Sequence, residues 1–417
     1  MKTVQTERPK EIYDVIIVGA GAAGLMCAAS PAWHAEGKRL ILESGQRPGI
    51  KLLMSGGGHC NITHEGSMRE LLPAYGSAGK VLRGVLSRYS NRDSMAFLER
   101  EGVPLYADET GRVLPVSMKA QDVLGVYLTA AKKNGFAVRY GQNVQEITIE
   151  PSDGTVSDGS ADIHENIYCL HTESQRYACR KLILATGGCS YPGTGSDGEM
   201  FKTLQRDLQV AVTSLAPALT PVIPEEYPYA DLAGITLPRV RISIHTDGAK
   251  SVHREGALLF THSAFSGPCA LDISSHAARG SRIALNYIYP MTFDDAYAAI
   301  RAQGLRTPKA VAAAFSLPKR LAALLVQRAA DSPKRLAHLL AEDTFPIAGT
   351  EGFRSAMVTK GGAALHQIVP ASMELKDHSG IYLIGEMLDA DGISGGYNLQ
   401  LCWSTAQAAA YDAAGMS

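Results

Sequence analysis

The stretch that most constrains this chain is residues 14–43. It opens Asp14-Val15-Ile16-Ile17-Val18-Gly19-Ala20-Gly21-Ala22-Ala23-Gly24 and closes, after an alanine-rich run, on Arg39-Leu40-Ile41-Leu42-Glu43. Val15–Val18 is a short apolar run bounded by glycine, which predicts a buried parallel strand. Gly19, Gly21 and Gly24 form G-x-G-x-x-G. In such a pattern the first glycine permits a tight turn, the second lets backbone approach a pyrophosphate, and the third lets a helix pack close to the strand. The pyrophosphate then meets the free N–H groups and positive dipole end of a helix opening at Ala22 and Ala23. Glu43, followed by Ser44, ends the next apolar strand, where an acid takes a ribose hydroxyl. The context predicts an adenine dinucleotide rather than an empty glycine turn, but the motif does not separate FAD from NAD.

Further glycine blocks lie far along the chain. Residues 49–63 contain Lys51, Ser55, three consecutive glycines beginning Gly56-Gly57, and Asn61. Three glycines beside Ser, Asn and Thr suit neither helix nor strand, and such a loop brings bare N–H groups to a ligand, with Lys51 adding positive charge near phosphate. A flexible surface loop is the plain alternative. Lys181-Leu182-Ile183-Leu184-Ala185-Thr186-Gly187-Gly188 reads as a buried strand ending in a Gly-Gly turn. An apolar strand ending in Ala-Thr-Gly returns the chain to the FAD sheet in two-dinucleotide-domain flavoproteins, which tilts the cofactor toward FAD. Thr194–Gly198 should cap a further helix, with Ser196 or Asp197 at its start. Gly380–Glu386 is another buried strand ending in Gly385-Glu386, followed by a loop through Gly395, Gly396, Tyr397 and Asn398 and an alanine-rich helix over 399–414. Both chain ends thus carry strand, loop and helix. The simplest topology is an α/β, Rossmann-like FAD-binding domain built from residues 1–215 and 351–417, with residues 216–350 inserted.

Between these blocks the patterns are ordinary. Residues 79–101 and 119–133 read as helices, the latter ended by Asn134-Gly135, and 105–115 as two extended runs around a turn. Residues 137–140, 144–149 and 167–171 alternate like a small antiparallel sheet, with a Ser/Asp/Gly hairpin loop at 151–161, and residues 1–11 are polar and frayed. The insert begins as β structure, with strands over 239–245, 256–263 and 282–289, and becomes helical and basic over 293–345. Pro333 should take the first helical position after Ser332.

Composition narrows the function classes. The 417 residues exceed one ordinary core. With 46% hydrophobic and 19% charged residues the chain is globular. A net charge of −1 argues against nucleic acid or an acidic membrane as partner. Nor does any run approach the roughly 20 apolar residues of a membrane span. Seven scattered cysteines without C-x-x-C suggest reduced thiols in a cytoplasm, and neither a metal site nor paired-cysteine redox chemistry.

Five blocks together, Val18–Gly24, Lys51–Thr63, Leu184–Thr194, Leu259–Pro268 and Gly385–Trp403, carry a resemblance that spans the chain. The sequence resembles the BaiN/YhiN-like family of flavoproteins, NAD(P)/FAD-dependent oxidoreductases. One departure is His59, where that family usually has arginine in Gly-Gly-Gly-Arg-Cys-Asn, so no fixed positive charge is expected there. The resemblance implies FAD, a domain built from both chain ends, an inserted β-plus-helical region, and reduction of a carbon–carbon double bond conjugated to a carbonyl. One family branch acts on bile-acid intermediates.

On this reading Gly19–Gly24 hold the pyrophosphate, Glu43 the adenosine ribose and Glu386 the ribityl hydroxyls, while Gly395–Asn398 lie along the isoalloxazine. A reductase also needs an acid for the carbon that receives no hydride, and Tyr191, His262 and Tyr397 are candidates because each sits in a Gly/Ser-rich block. His59 and Asn61 are candidates for contact with flavin or a substrate carbonyl. No second complete G-x-G-x-x-G follows a strand, so NAD(P)H would be a transient donor and the partner a small-molecule substrate. A flavin-dependent dehydrogenase or oxidase, and a flavin-binding RNA-modification or regulatory protein, are the alternatives. The oligomeric state stays open.

Overall fold

A computed structural model describes residues 11–33, 36–151 and 166–416. The frayed stretch expected over 1–11 and the hairpin loop expected over 151–161 therefore fall almost wholly outside the described residues. The chain divides into two compact units, residues 1–215 with 358–417, and residues 216–357. The second boundary lies at 357 rather than 350. Residues 351–357 stay with the inserted unit because the Glu351 N–H donates to the Pro221 carbonyl and the Met357 N–H to the Leu219 carbonyl.

The first unit is organised on an eight-stranded sheet. Its main path runs 374–375, 378–383, 176–184, β1 (Ile12–Val18), β2 (Arg39–Leu42), 136–139. β1 pairs in parallel with β2 on one side and with Arg176–Leu184 on the other. Ile16, Ile17, Leu182, Ile183 and Leu184 have no exposed surface, as expected of strands covered on both faces. Phe136–Arg139 corrects the expected small antiparallel sheet. It pairs in parallel with β2 and extends the main sheet, because the intervening helix Ala120–Lys133 makes a crossover. Val144–Pro151 and Asn166–Thr172 do pair antiparallel, and the latter attaches to 176–184 in the same sheet.

Helix α1 (Ala22–Ala28) follows β1, and the 17-residue helix Tyr397–Ala413 packs beside it. This last helix buries residues all round, including Leu401, Trp403, Ala406 and Ala410. A helix apolar on every side belongs inside a fold. It is fixed by Ser30 Oγ donating to Gln407 Oε1 at 2.8 Å and Trp403 Nε1 donating to the Ile62 carbonyl at 3.0 Å. The helix expected over 79–101 is two, Ala78–Arg88 and Asn91–Arg100, because Ser90 and Asp93 form a capping box that starts the second.

The second unit is a closed six-stranded barrel in the order 222–224, 265–266, 252–260, 236–245, 282–286, 343–350, with antiparallel neighbours. Four helices, Phe293–Gln303, Pro308–Ala314, Lys319–Ala329 and Pro333–Ala341, are inserted before its last strand. Pro333 opens its helix, and Ser332 Oγ accepts from the Arg335 N–H. Pro318 instead precedes the first turn of its helix. Residues 343–345 are strand rather than helix. Asp343, 2% exposed, is held by Arg328 through two 2.8 Å hydrogen bonds and by the Tyr229 and Tyr287 hydroxyls.

Candidate dinucleotide-binding site

The glycine turn sits at the carboxyl end of β1, where the chain turns to β2 on one side and to 176–184 on the other. In open parallel sheets such a switch point is where ligands bind. The three glycines are required for different reasons. Gly19 has φ +104° and lies against the Ala185 carbonyl, where a Cβ would come within 2.5 Å of its oxygen. A Cβ on Gly24 would overlap the Gly19 carbonyl oxygen. Gly21 is extended (φ −83°, ψ −169°), precedes the first turn of α1, and a Cβ there would meet no protein atom within 4 Å. Nothing in the protein demands glycine at that position. A ligand approaching the N–H groups of Ala22, Ala23 and Gly24 does, since the first N–H groups of a helix have no partner within it. This cradle fits a dinucleotide pyrophosphate.

Glu43, 8% exposed, is pinned against the turn. Its Oε2 accepts from the Ala20 N–H and its Oε1 from the Gly45 N–H, both at 2.7 Å. Each oxygen keeps a lone pair for a ribose hydroxyl. Ser44 adjoins it, with Oγ 3.5 Å from Glu43 Oε1.

A second cluster joins distant glycine blocks. Glu386 Oε1 accepts from Ser190 Oγ and from the Thr359 N–H at 2.7 Å, and its Oε2 pairs with Lys51 Nζ at 2.5 Å. Lys51 also donates to Ser190 Oγ. Thr359 Oγ1 accepts from the Cys189 and Ser190 N–H groups, fixing the turn after Thr186, Gly187 and Gly188. Lys51 and Glu386 are thus neutralised by each other, and any ribityl hydroxyl would meet a carboxylate whose Oε1 is already doubly engaged. Gly385 (φ +65°) precedes it, where a Cβ would press on Ala23. Sequence reasoning missed Thr359 and Ser190, although Ser190 follows the Gly187-Gly188 turn closely, because their partners lie far away in the chain.

The loop before the last helix forms a third part. Gly395 and Gly396 have φ +122° and +98°, and Tyr397 and Asn398 lie within the helix's first turn, two residues earlier than expected. Asn398 bonds back to both the N–H and the carbonyl of Gly392. The Asn61 amide, with oxygen and nitrogen placed to satisfy its neighbours, accepts from the Gly396 N–H and donates to the Thr63 carbonyl. The Tyr397 ring is buried, stacked on His64 at 4.9 Å and edge-on to Tyr75 at 6.0 Å. Asp391 in this loop was not anticipated. Burial and the neighbouring Asp389 and Glu386 carboxylates push its carboxyl up, against the pull of Lys360.

Residues 50–54 form a short helix rather than a loop, since Ile-Lys-Leu-Leu-Met are good helix formers. Ser55 Oγ donates to the Leu52 carbonyl, and Gly56, Gly57 and the next glycine all have positive φ. His59 is exposed and its Nδ1 lies 2.9 Å from the Met118 carbonyl. Of the acid candidates, Tyr191 is half-buried with φ +52° in the turn after 176–184, and shares the first unit with Tyr397. His262 is exposed in the turn between two barrel strands of the second unit.

The chain matches the HI0933-like protein Rossmann domain family over residues 13–412. It is 31% identical over 425 residues to the ribosomal RNA dihydrouridine synthase of Escherichia coli (strain K12), covering 96% of this chain and 98% of that protein. It is 25% identical over 413 residues to the 3-dehydro-bile acid delta(4,6)-reductase of Clostridium scindens, covering 93% and 96%. Among solved structures, a flavocytochrome c3 fumarate reductase in its open conformation superposes with a TM-score of 0.51 at 15% identity, covering 98% of this chain and 79% of that one. A 3-ketosteroid delta1-dehydrogenase from Sterolibacterium denitrificans gives 0.51 at 13% identity, covering 97% and 100%. At these identities the structures speak for the fold. With the glycine cradle and the end-to-end match, the chain belongs to the HI0933-like Rossmann-domain family of flavin-dependent oxidoreductases.

Proposed function

We propose that this flavoprotein reduces a carbon–carbon double bond conjugated to a carbonyl, taking electrons from NAD(P)H, and that a uridine of ribosomal RNA is its first substrate to test. One observation carries the reading. Two relatives that align with this chain from end to end are named for a dihydrouridine product and for a delta(4,6)-reductase of a 3-dehydro acid. Dihydrouridine is uridine whose ring double bond, conjugated to a carbonyl, is saturated. A Δ4 double bond beside a 3-keto group is the same unit in a steroid ring. The higher identity to the RNA enzyme favours uridine. A steroid-like enone is the second reading, favoured by the reductase.

Reduced FAD would supply the hydride. The chain's own tasks are binding and proton delivery. The Gly21 cradle and the first turn of α1 hold the pyrophosphate, Glu43 the ribose, and Lys51, Glu386 and Ser190 brace the loops along the ribityl chain. Tyr191, His262 and Tyr397 remain candidate acids. Asp391 joins them as a carboxyl in the loop before the last helix whose burial pushes its pKa up.

The test starts from the visible spectrum of the purified protein, recorded anaerobically before and after NADH or NADPH. Bleaching followed by dihydrouridine in unmodified ribosomal RNA, read by nucleoside mass spectrometry, is the expected result. Bleaching with turnover of a 3-keto-Δ4 steroid alone would select the second reading. A flavin that neither nucleotide reduces would remove NAD(P)H as donor.

A further inference from the structure

The inserted unit carries charge that the whole-chain balance conceals. Residues 293–341 hold eight Lys or Arg and three Asp or Glu. Their helices gather much of this charge at one end of the layer. Helices 293–303 and 333–341 pack antiparallel, since Phe293 at the start of one lies 4.2 Å, ring to ring, from His338 near the end of the other. The end of the first, with Arg301, therefore meets the start of the second, with Lys334 and Arg335. Arg306 lines one cleft with Leu305, Asp331, Ser332 and Pro333, and Lys309 follows in the next helix.

Arg301, Arg306, Lys309, Lys334 and Arg335 are all exposed, and among the described residues none forms an ion pair. Asp331 is the only acid that the connections at this end contribute. The cations stand on three helices and on the connection that carries Arg306, over an open surface. That arrangement suits a chain of phosphates better than one small anion. It does not suit a membrane. A helix that lies in a bilayer surface shows an apolar face, whereas none of the large hydrophobic side chains exposed among the described residues falls within 293–341. One ring stands beside them, Tyr297, with the Arg301 guanidinium 6.0 Å from its centroid, and the cations themselves would position a backbone rather than read bases.

We infer that this end of the helical layer, formed by Arg301, Arg306, Lys309, Lys334 and Arg335, is a docking surface for the phosphate backbone of RNA. The inference rests on the RNA reading of the substrate given above. It assigns to the inserted unit the task of holding a polyanion.

The test uses the full-length holoprotein and the triple variant Arg306→Glu/Lys309→Glu/Lys334→Glu. These residues lie outside the cofactor site and on the surface, so flavin content, thermal midpoint and the rate of flavin reduction by NADPH should be unchanged. Binding of fluorescein-labelled ribosomal RNA fragments is followed by anisotropy over a salt series. The variant should bind at least about tenfold more weakly, with the slope of log K against log salt smaller by about 2 to 3, since each lost phosphate contact removes about 0.7–0.9. Unchanged affinity and slope would overturn the surface, and if both proteins still form dihydrouridine the substrate reading survives alone. A wild-type protein that binds no RNA and forms no dihydrouridine overturns both. Phosphatidylglycerol vesicles that bind as tightly as RNA, and lose binding in the variant, would overturn the assignment to RNA.

Discussion

Replacing Gly21 with valine separates cofactor binding from folding. The backbone at Gly21 is extended, and an added Cβ meets no protein atom within 4 Å. The apoprotein should therefore lose only the quality of a helix cap, about 1 kcal/mol or less. The same side chain projects where a pyrophosphate must approach the first turn of α1. Losing that approach should weaken FAD by at least about 100-fold, or about 3 kcal/mol. Gly24→Ala is the contrasting variant. Its methyl would overlap the Gly19 carbonyl oxygen, and overpacking of this kind costs about 1–3 kcal/mol or more, with or without cofactor. Two measurements distinguish them, flavin per protein after gel filtration and the urea midpoint of the apoprotein. Gly21→Val should be colourless with a nearly unchanged midpoint, and Gly24→Ala should lose both. A Gly21→Val protein that keeps stoichiometric FAD would refute the placement of the pyrophosphate at this turn.

Gly396→Val makes a different point. A Cβ at that position would overlap the Thr63 backbone, and φ is +98°, so the variant should drop in thermal midpoint even as apoprotein. Flavin loss there would not by itself identify a flavin contact, and a normal midpoint would contradict the packing. Arg328→Met strips the cation from the buried Asp343 and should cost about 3–5 kcal/mol in urea unfolding. A cost below about 1 kcal/mol would mean the network is not formed in solution. Burial pushes the Cys60 and Cys402 thiols up to about 12, so neither should be alkylated by iodoacetamide near pH 8 until the protein unfolds, as peptide mass mapping would show. Partial burial raises the Asp108 carboxyl, but hydrogen bonds from Thr110 and Arg112 outweigh it and hold it at about 2, below its unfolded 3.8. Its contribution to stability is thus present above about pH 4 and lost as pH falls toward 2, and Asp108→Asn should flatten that acid limb of a stability–pH curve.

The parts of the fold that were legible in the sequence are those whose cause is local. Val15–Val18, the glycine turn and Glu43 lie within one βαβ unit. Their spacing alone states that a strand ends, a helix begins and an acid follows. The two-ended organisation was legible for the same reason, because each end repeats strand, loop and helix within a few dozen residues. Local pattern failed where neighbours decide. Phe136–Arg139 alternates like an antiparallel strand, yet it pairs in parallel with β2, a choice made by the crossover helix before it. Gly396 reads as a flavin contact, but its missing side chain is demanded by Thr63, more than 300 residues away in the chain.

By itself the sequence determined the nucleotide cradle, since a turn that excludes side chains must be written into consecutive residues. Only the tertiary structure decided that Lys51 is paired with Glu386, that Thr359 braces the Gly188–Ser190 turn, and that the cations of the inserted helices gather at one end. Those are relations between residues remote in the chain. Charge and hydrogen-bond partners are set by distance in space, which no local period records.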